Sequence, residues 1–158
     1  LGLRLDQKVY LISFGWFDLG ETAQKRLEEI TDAMFLFKHP LSFHFRNGIC
    51  LDEYPLSYED VVAAVDGVIT KPGYGIVSDC LAHGTPVIYT DGGFFPEYDI
   101  LVREMAKHLT TVYISSEDLY AGKWQAAIGE LERQPRVAPT LPCDGAEVCA
   151  ETILRYLD

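Results

Sequence analysis

The sequence predicts an α/β domain built as a doubly wound parallel sheet. Short β-rich apolar runs alternate with helical segments from Lys8 to the C-terminus, a pattern that favours parallel strands joined by crossover helices. The run Val68 to Tyr89 contains the unit in miniature: a buried strand, a glycine-bearing turn, a short helix, a Gly-x-Pro break at Gly84-Thr85-Pro86 and a second buried strand. A length of 158 residues suits one such domain, which would bury roughly two thirds of its unfolded surface.

Each element has its own signal. Lys8 to Phe14 is apolar and β-rich and ends at Gly15, as a central parallel strand followed by a ligand-facing loop would. Gly20 to Ile30 is amphipathic, with Thr22 as its expected cap and Leu27 and Ile30 turned inward. Ala33 to Phe37 reads as a strand stopped by Pro40, and Gly48 to Leu51 as a brief buried one. Ser42 to Asn47 between them alternates apolar and polar residues, which fits an edge strand or a strand-like loop equally. Ser57 caps a helix to about Ala64, with Glu59 and Asp60 favouring its dipole.

Asp66 to Thr70 and Thr85 to Thr90 are the strands around the central turn. Pro96 is expected to open a helix to about His108 that buries Ile100, Leu101 and Met105. Leu109 to Ile114 is a β-branched strand, and Ser115-Ser116-Glu117-Asp118 starts a helix continuing through Leu119 to Arg133. The proline-bearing tract from Gln134 to Asp144 reads as a surface crossing, and Ala146 to Leu157 as a last helix.

Composition narrows the function. A hydrophobic fraction of 48% excludes general disorder, and a net charge of −11 argues against a nucleic-acid or anionic-membrane surface. No apolar run reaches the ~18 residues of a membrane span, and Leu1 to Asp6 lacks the layout of a signal peptide. A cytoplasmic protein with no direct membrane insertion is expected. The absence of an initiator Met suggests that an N-terminal half precedes this segment.

The cysteines Cys50, Cys80, Cys143 and Cys149 have no C-x-x-C spacing and read as reduced thiols, a Cys143–Cys149 bridge being disfavoured in the cytosol. His39, His44, His83 and His108 form no metal-ligand spacing. Neither a Gly-x-Ser-x-Gly elbow nor a P-loop ending is present.

The central turn points to an anion. Gly73 and Gly75 let a ligand approach the backbone closely, while the free N–H groups and dipole of the following helix face the same space. Gly15 ends another strand at the same expected sheet edge, so two glycine loops converge on one crevice. A tight turn without a ligand is the competing explanation for Gly73, Tyr74 and Gly75. Asp79 lies one helical turn after Gly75, within reach of a sugar diol, or else faces solvent. Lys71 either neutralises a phosphate or is simply solvated. Together these residues suggest a nucleotide.

The run AAVDGVITKPGYGIVSDCLAHGTPVIYTDGGFFPEY resembles the donor-binding, C-terminal half of GT-B glycosyltransferases, particularly those of family 28 and the UDP-glucuronosyltransferases. Ser13-Phe14-Gly15, Leu51-Asp52-Glu53-Tyr54 and Pro96-Glu97 extend the match over most of the chain. The resemblance implies a Rossmann-like half of a GT-B fold and a UDP-sugar donor, with no cofactor and no metal requirement. It assigns the donor diphosphate to Gly15, Lys71, Gly73, Tyr74 and Gly75, the ribose to Asp79, and the edge of the base pocket to Glu53 and Tyr54.

The family's Asp-Gln or His-Gln pair at the donor sugar is missing. Phe94-Phe95 stands there ahead of Pro96-Glu97, which leaves Asp91 and Glu97 as the candidate sugar contacts. Transfer would need the acceptor and base of another domain or subunit, so the catalytic residues lie outside the match. Two alternatives stand beside a hexosyltransferase domain. One is a nucleotide-binding regulatory or partner module, and the other a domain associated with a sugar kinase.

Overall fold

The computed structural model describes residues 2–3, 6–16 and 18–157; of the opening stretch read for a signal peptide, Leu1, Arg4 and Leu5 lie outside them. The strands are β1 (Lys8–Ser13), β2 (Ala33–Phe37), β3 (Gly48–Cys50), β4 (Gly67–Thr70), β5 (Val87–Tyr89) and β6 (Thr111–Tyr113). They form one parallel sheet in the order β3-β2-β1-β4-β5-β6. The helices are α1 (Glu21–Glu28), α2 (Tyr58–Ala64), α3 (Tyr74–His83), α4 (Tyr98–His108), α5 (Ser116–Tyr120), α6 (Gln125–Arg133) and α7 (Gly145–Leu154). The doubly wound expectation is met. No helix among the described residues is long and apolar enough to cross a membrane.

Side chains alternate across the sheet and bury both faces. On one face Tyr10, Ile12, Phe35, Phe37, Ile69 and Ile88 pack with Leu27, Leu119, Trp124 and Ile128. On the other, Leu11, Leu36, Val68 and Val87 meet Val62, Val77, Cys80 and Met105. Burial pushes the Cys80 thiol up to about 12, with the nearby Asp79 charge adding to the effect, so this cysteine stays an inert core group.

The segment Ser42 to Asn47 keeps its alternation but meets the sheet only at its end, where the Asn47 carbonyl accepts from the Phe35 N–H at 2.8 Å. Phe43, Phe45 and Asn47 point inward, but the His44 N–H donates to Gln24 Oε1 at 2.7 Å and the Arg46 N–H to Glu28 Oε1 at 2.8 Å. Side chains of α1 take the donors a neighbouring strand would have used. This segment covers the sheet where a crossover helix would otherwise lie, and Phe37, Phe43 and Phe45 stack there with tilted and edge-on rings. Asn47 fastens it, its Nδ2 lying 2.9–3.1 Å from the carbonyls of Leu27, Ile30 and Ala33.

Several boundaries differ from expectation. Gly20, not Thr22, caps α1, and no side-chain bond assists; Thr22 is exposed within the first turn. β3 is a partly exposed edge strand instead of a buried one. Glu97 precedes α4, and Ile100 is 55% exposed because the inward stripe runs through Leu101 and Met105 alone. The helix expected from Ser116 to Arg133 is broken: Gly122 adopts φ +70°, a Cβ there would come within 2.6 Å of the Ala23 carbonyl, and the Trp124 indole donates to Leu119 O. The cap at Ser57 holds, its Oγ accepting from the Asp60 N–H. α7 buries no residue.

The loop between β5 and α4 is tied at its base. The Tyr98 hydroxyl donates to Thr90 O at 3.0 Å, and the Asp91 carboxylate accepts from Tyr113 Oη at 2.7 Å and from the Ser116 N–H and Oγ at 3.0 and 2.7 Å. Those bonds, Tyr113 foremost, hold the Asp91 carboxyl below the usual carboxylate range. A Cβ on Gly92 would meet the Tyr98 ring at 2.1 Å, so this glycine is a packing requirement.

Two outcomes follow from these anchors. Asn47→Ala should lower unfolding free energy by about 1–3 kcal/mol in denaturant titrations, because three carbonyls lose their donor. Asp91 has a depressed folded pKa, so its contribution is fully present above the unfolded value near 3.8 and is lost as pH falls from there through the folded value. The stability difference between wild type and Asp91→Asn, followed by urea melts, should therefore be largest above pH ~4 and shrink on further acidification.

Candidate functional site

Strand order reverses between β1 and β4. The chain leaves β1 through α1 toward β2, and leaves β4 through α3 toward β5, so the connections diverge and leave a crevice at the carboxyl edge of the sheet. The register pairs Ser13 with Thr70, which brings Phe14-Gly15 and Lys71-Pro72-Gly73 out side by side. Thr70 Oγ1 donates at this point, lying 2.5 Å from Ser13 O and 3.0 Å from Lys71 O, and ties the two exits together.

A cleft of about 840 Å³ opens there, lined by the ends of β1 and β4, the start of α3 and the loop after β5. Gly15, Lys71, Gly73 and Tyr74 all line it. α3 has no side-chain cap, and its bonding begins with the Val77 N–H donating to Gly73 O at 3.0 Å. The N–H groups of Tyr74, Gly75 and Ile76 therefore have no helical acceptor and leave a partial positive charge at the cleft.

The glycines here are not demanded by the protein. A Cβ at Gly15, Gly73 or Gly75 would meet nothing within 4 Å, and none of the three has a positive φ. Their value lies in the open space they leave in front of the backbone. Gly93, by contrast, adopts φ +63°, and a Cβ there would lie 3.2 Å from Lys71 Nζ, so the lysine folds back over this turn. Among the described residues Lys71 is the single charged side chain of the cleft lining.

The remaining candidates are not among the lining residues. Gly75 sits between the lining residues Tyr74 and Ile76. Asp79 is one turn further along α3, and its charge helps raise the Tyr58 phenol, although burial is the larger cause. Tyr54 is 40% exposed in the loop after β3, two strands from β1. Asp91 is at the base of the β5 loop, occupied by Tyr113 and Ser116. Glu97 Oε2 accepts from the Tyr74 hydroxyl at 3.3 Å, and the Tyr74 ring stands edge-on to Phe95 at 5.9 Å.

Two further residues belong to the site. Trp16, 76% exposed, lines the cleft directly after Gly15. Its place after a strand-ending glycine was a usable sequence signal. Tyr58 shares a hydrogen bond with Ser13 Oγ, bracing the β1 exit from the first residue of α2. That contact joins residues 45 positions apart and leaves no local signature. Among the described residues no group of three His, Cys, Asp or Glu side chains is arranged to hold a metal ion.

No family model matches the chain, and neither does any curated protein. Solved structures do match, and the three named here do so with a probability of 1.00. The calicheamicin glycosyltransferase CalG4 superposes with a TM-score of 0.62 at 16% identity over 83% of this chain and 36% of its own. The glycosyltransferase SnogD from Streptomyces nogalater gives 0.52 at 16% over 97% and 44%. Os79 from O. sativa, solved in complex with UDP, gives 0.55 at 15% over 80% and 32%. The chain thus spans about a third to under half of the length of these structures. It shares the fold of one Rossmann-like part of these glycosyltransferase structures.

Proposed function

We propose that this domain binds the nucleotide-sugar donor of a glycosyltransferase, with a UDP-sugar as the preferred class. The observation that carries the proposal is the cleft at the β1/β4 reversal, where the uncapped start of α3, open glycines and Lys71 converge in a chain of this fold. UDP is the nucleotide of the Os79 complex, which favours it over GDP or ADP here. In this reading Gly15, Lys71, Gly73, Tyr74 and Gly75 surround the diphosphate, Asp79 takes the ribose hydroxyls, Tyr54 borders the base and Glu97 accepts from one sugar hydroxyl. Asp91 acts at a distance, by fixing the loop that carries Phe94 and Phe95.

Charge grows on the leaving diphosphate as the glycosidic bond breaks. Amides and a helix dipole aimed there stabilise the transition state more than the ground state. The acceptor and the catalytic base would come from a second domain or subunit, consistent with the share of the matching structures that this chain spans. Phe94, fully exposed on the cleft rim, and Trp16 suit contact with that missing half.

Calorimetry with UDP, GDP and ADP tests the reading: UDP should bind with the highest affinity, and absence of binding by all three at millimolar concentration would defeat it. Gly75→Val should weaken UDP binding by filling the open space before α3. Asp79→Ala should cost the ribonucleotide about 1–3 kcal/mol more than its 2′-deoxy analogue. Equal losses for the two nucleotides would remove Asp79 from the ribose site.

A further inference from the structure

The chain leaving β1 is fastened at Ser13 and Phe14. Thr70 Oγ1 holds the Ser13 carbonyl from the neighbouring strand, Phe14 packs against the core on one face of the sheet, and Tyr58 reaches Ser13 Oγ from the other face. Past these anchors the loop has little of its own to hold it. Among the described residues Gly15 and Trp16 make no hydrogen bond, a Cβ at Gly15 would meet nothing within 4 Å, and Trp16 is exposed. The direction in which this loop enters the cleft is therefore set at Ser13 and Phe14.

Tyr58 brings a third element to that point. It is the first residue of α2, where the Ser57 Oγ accepts from the Asp60 N–H at 3.1 Å and fixes the start of the helix. Its ring packs with Val61, Val62 and Val77, and its hydroxyl meets Ser13 Oγ. A phenol suits this span, because it carries a hydroxyl across the length of a ring with only two rotatable bonds. Burial raises the Tyr58 phenol and the neighbouring Cys80 and Asp79 add to the effect, so the hydroxyl keeps its proton at neutral pH. Ser13 lines the cleft and Tyr58 does not, so Tyr58 acts on the cleft through Ser13.

We propose that Tyr58 is a positioning residue for the diphosphate, setting Gly15 and Trp16 opposite the free N–H groups of α3 through its bond to Ser13. The proposal rests on the cleft being a donor site, and its test separates the two. UDP affinity is measured by calorimetry on the wild-type chain, Tyr58→Phe, Ser13→Ala and the double variant, and amide shifts are recorded for ligand-free Tyr58→Phe. Each single variant should bind UDP roughly three- to tenfold more weakly, the effect of one lost hydrogen bond. The double variant should lose no more than the weaker single one, since the two hydroxyls form one link. Amide shifts in Tyr58→Phe should change at Ser13 to Trp16 and stay in place at Val77 and Val87 in the core. Wild-type affinity in either single variant, or losses that multiply in the double one, would overturn the role given to Tyr58 while UDP binding left the donor site standing. Shifts spread through Val77 and Val87 would make Tyr58 a packing residue and overturn that role as well. Absence of UDP binding by the wild type would overturn the donor site and the proposal together.

Discussion

The reversal of strand order between β1 and β4 is the constraint on which the rest of this molecule depends. Parallel strands require crossovers, and crossovers running outward in both directions from one pair of strands cannot cover the carboxyl edge between them. The flush pairing of Ser13 with Thr70 then fixes two chain exits at the same height. From that follow the juxtaposition of Gly15 with Gly73, the aim of α3 into the crevice and the position of the β5 loop across from it. Neither Thr70 nor Tyr58 need touch a ligand to matter, since both hold the exits in place.

Electrostatics at the site oppose those of the whole chain. The protein carries a net −11, yet its cleft combines unpaired helix N–H groups with one lysine and, among the described residues, no lining carboxylate. Screening makes this compatible with anion binding: beyond roughly 8 Å at physiological ionic strength distant charges fade, while amides in direct contact do not. A diphosphate would thus be held by local geometry, and the acidic exterior would repel polyanions such as nucleic acid.

Much of this architecture was legible in the sequence because its signals are local. Strand runs ending in glycine, the Ser57 and Ser115 caps and the Gly-x-Pro break act within a few residues of themselves. What escaped depends on partners far along the chain. Ser42 to Asn47 had the right alternation, but only the arrival of Gln24 and Glu28 decides that His44 and Arg46 do not join the sheet. Gly122 breaks a strong helical pattern because α1 lies against it. At the site, the glycine loops and Lys71 could be read directly, whereas the occupation of Asp91 by Tyr113 and Ser116, and of Tyr74 by Glu97, required the folded loop.

The central claim is that the carboxyl edge at the β1/β4 reversal is where this protein takes a nucleoside diphosphate. The contrasting location is the opposite, amino edge, where Lys8 and Arg136 flank Asp66 and supply the alternative cationic groups. Backbone amide shifts in a ¹⁵N-labelled sample titrated with UDP decide between them. Changes concentrated at Gly15 and at Gly73 to Ile76 are the predicted result, and changes concentrated around Lys8, Asp66 and Arg136 with the α3 amides unmoved would contradict it.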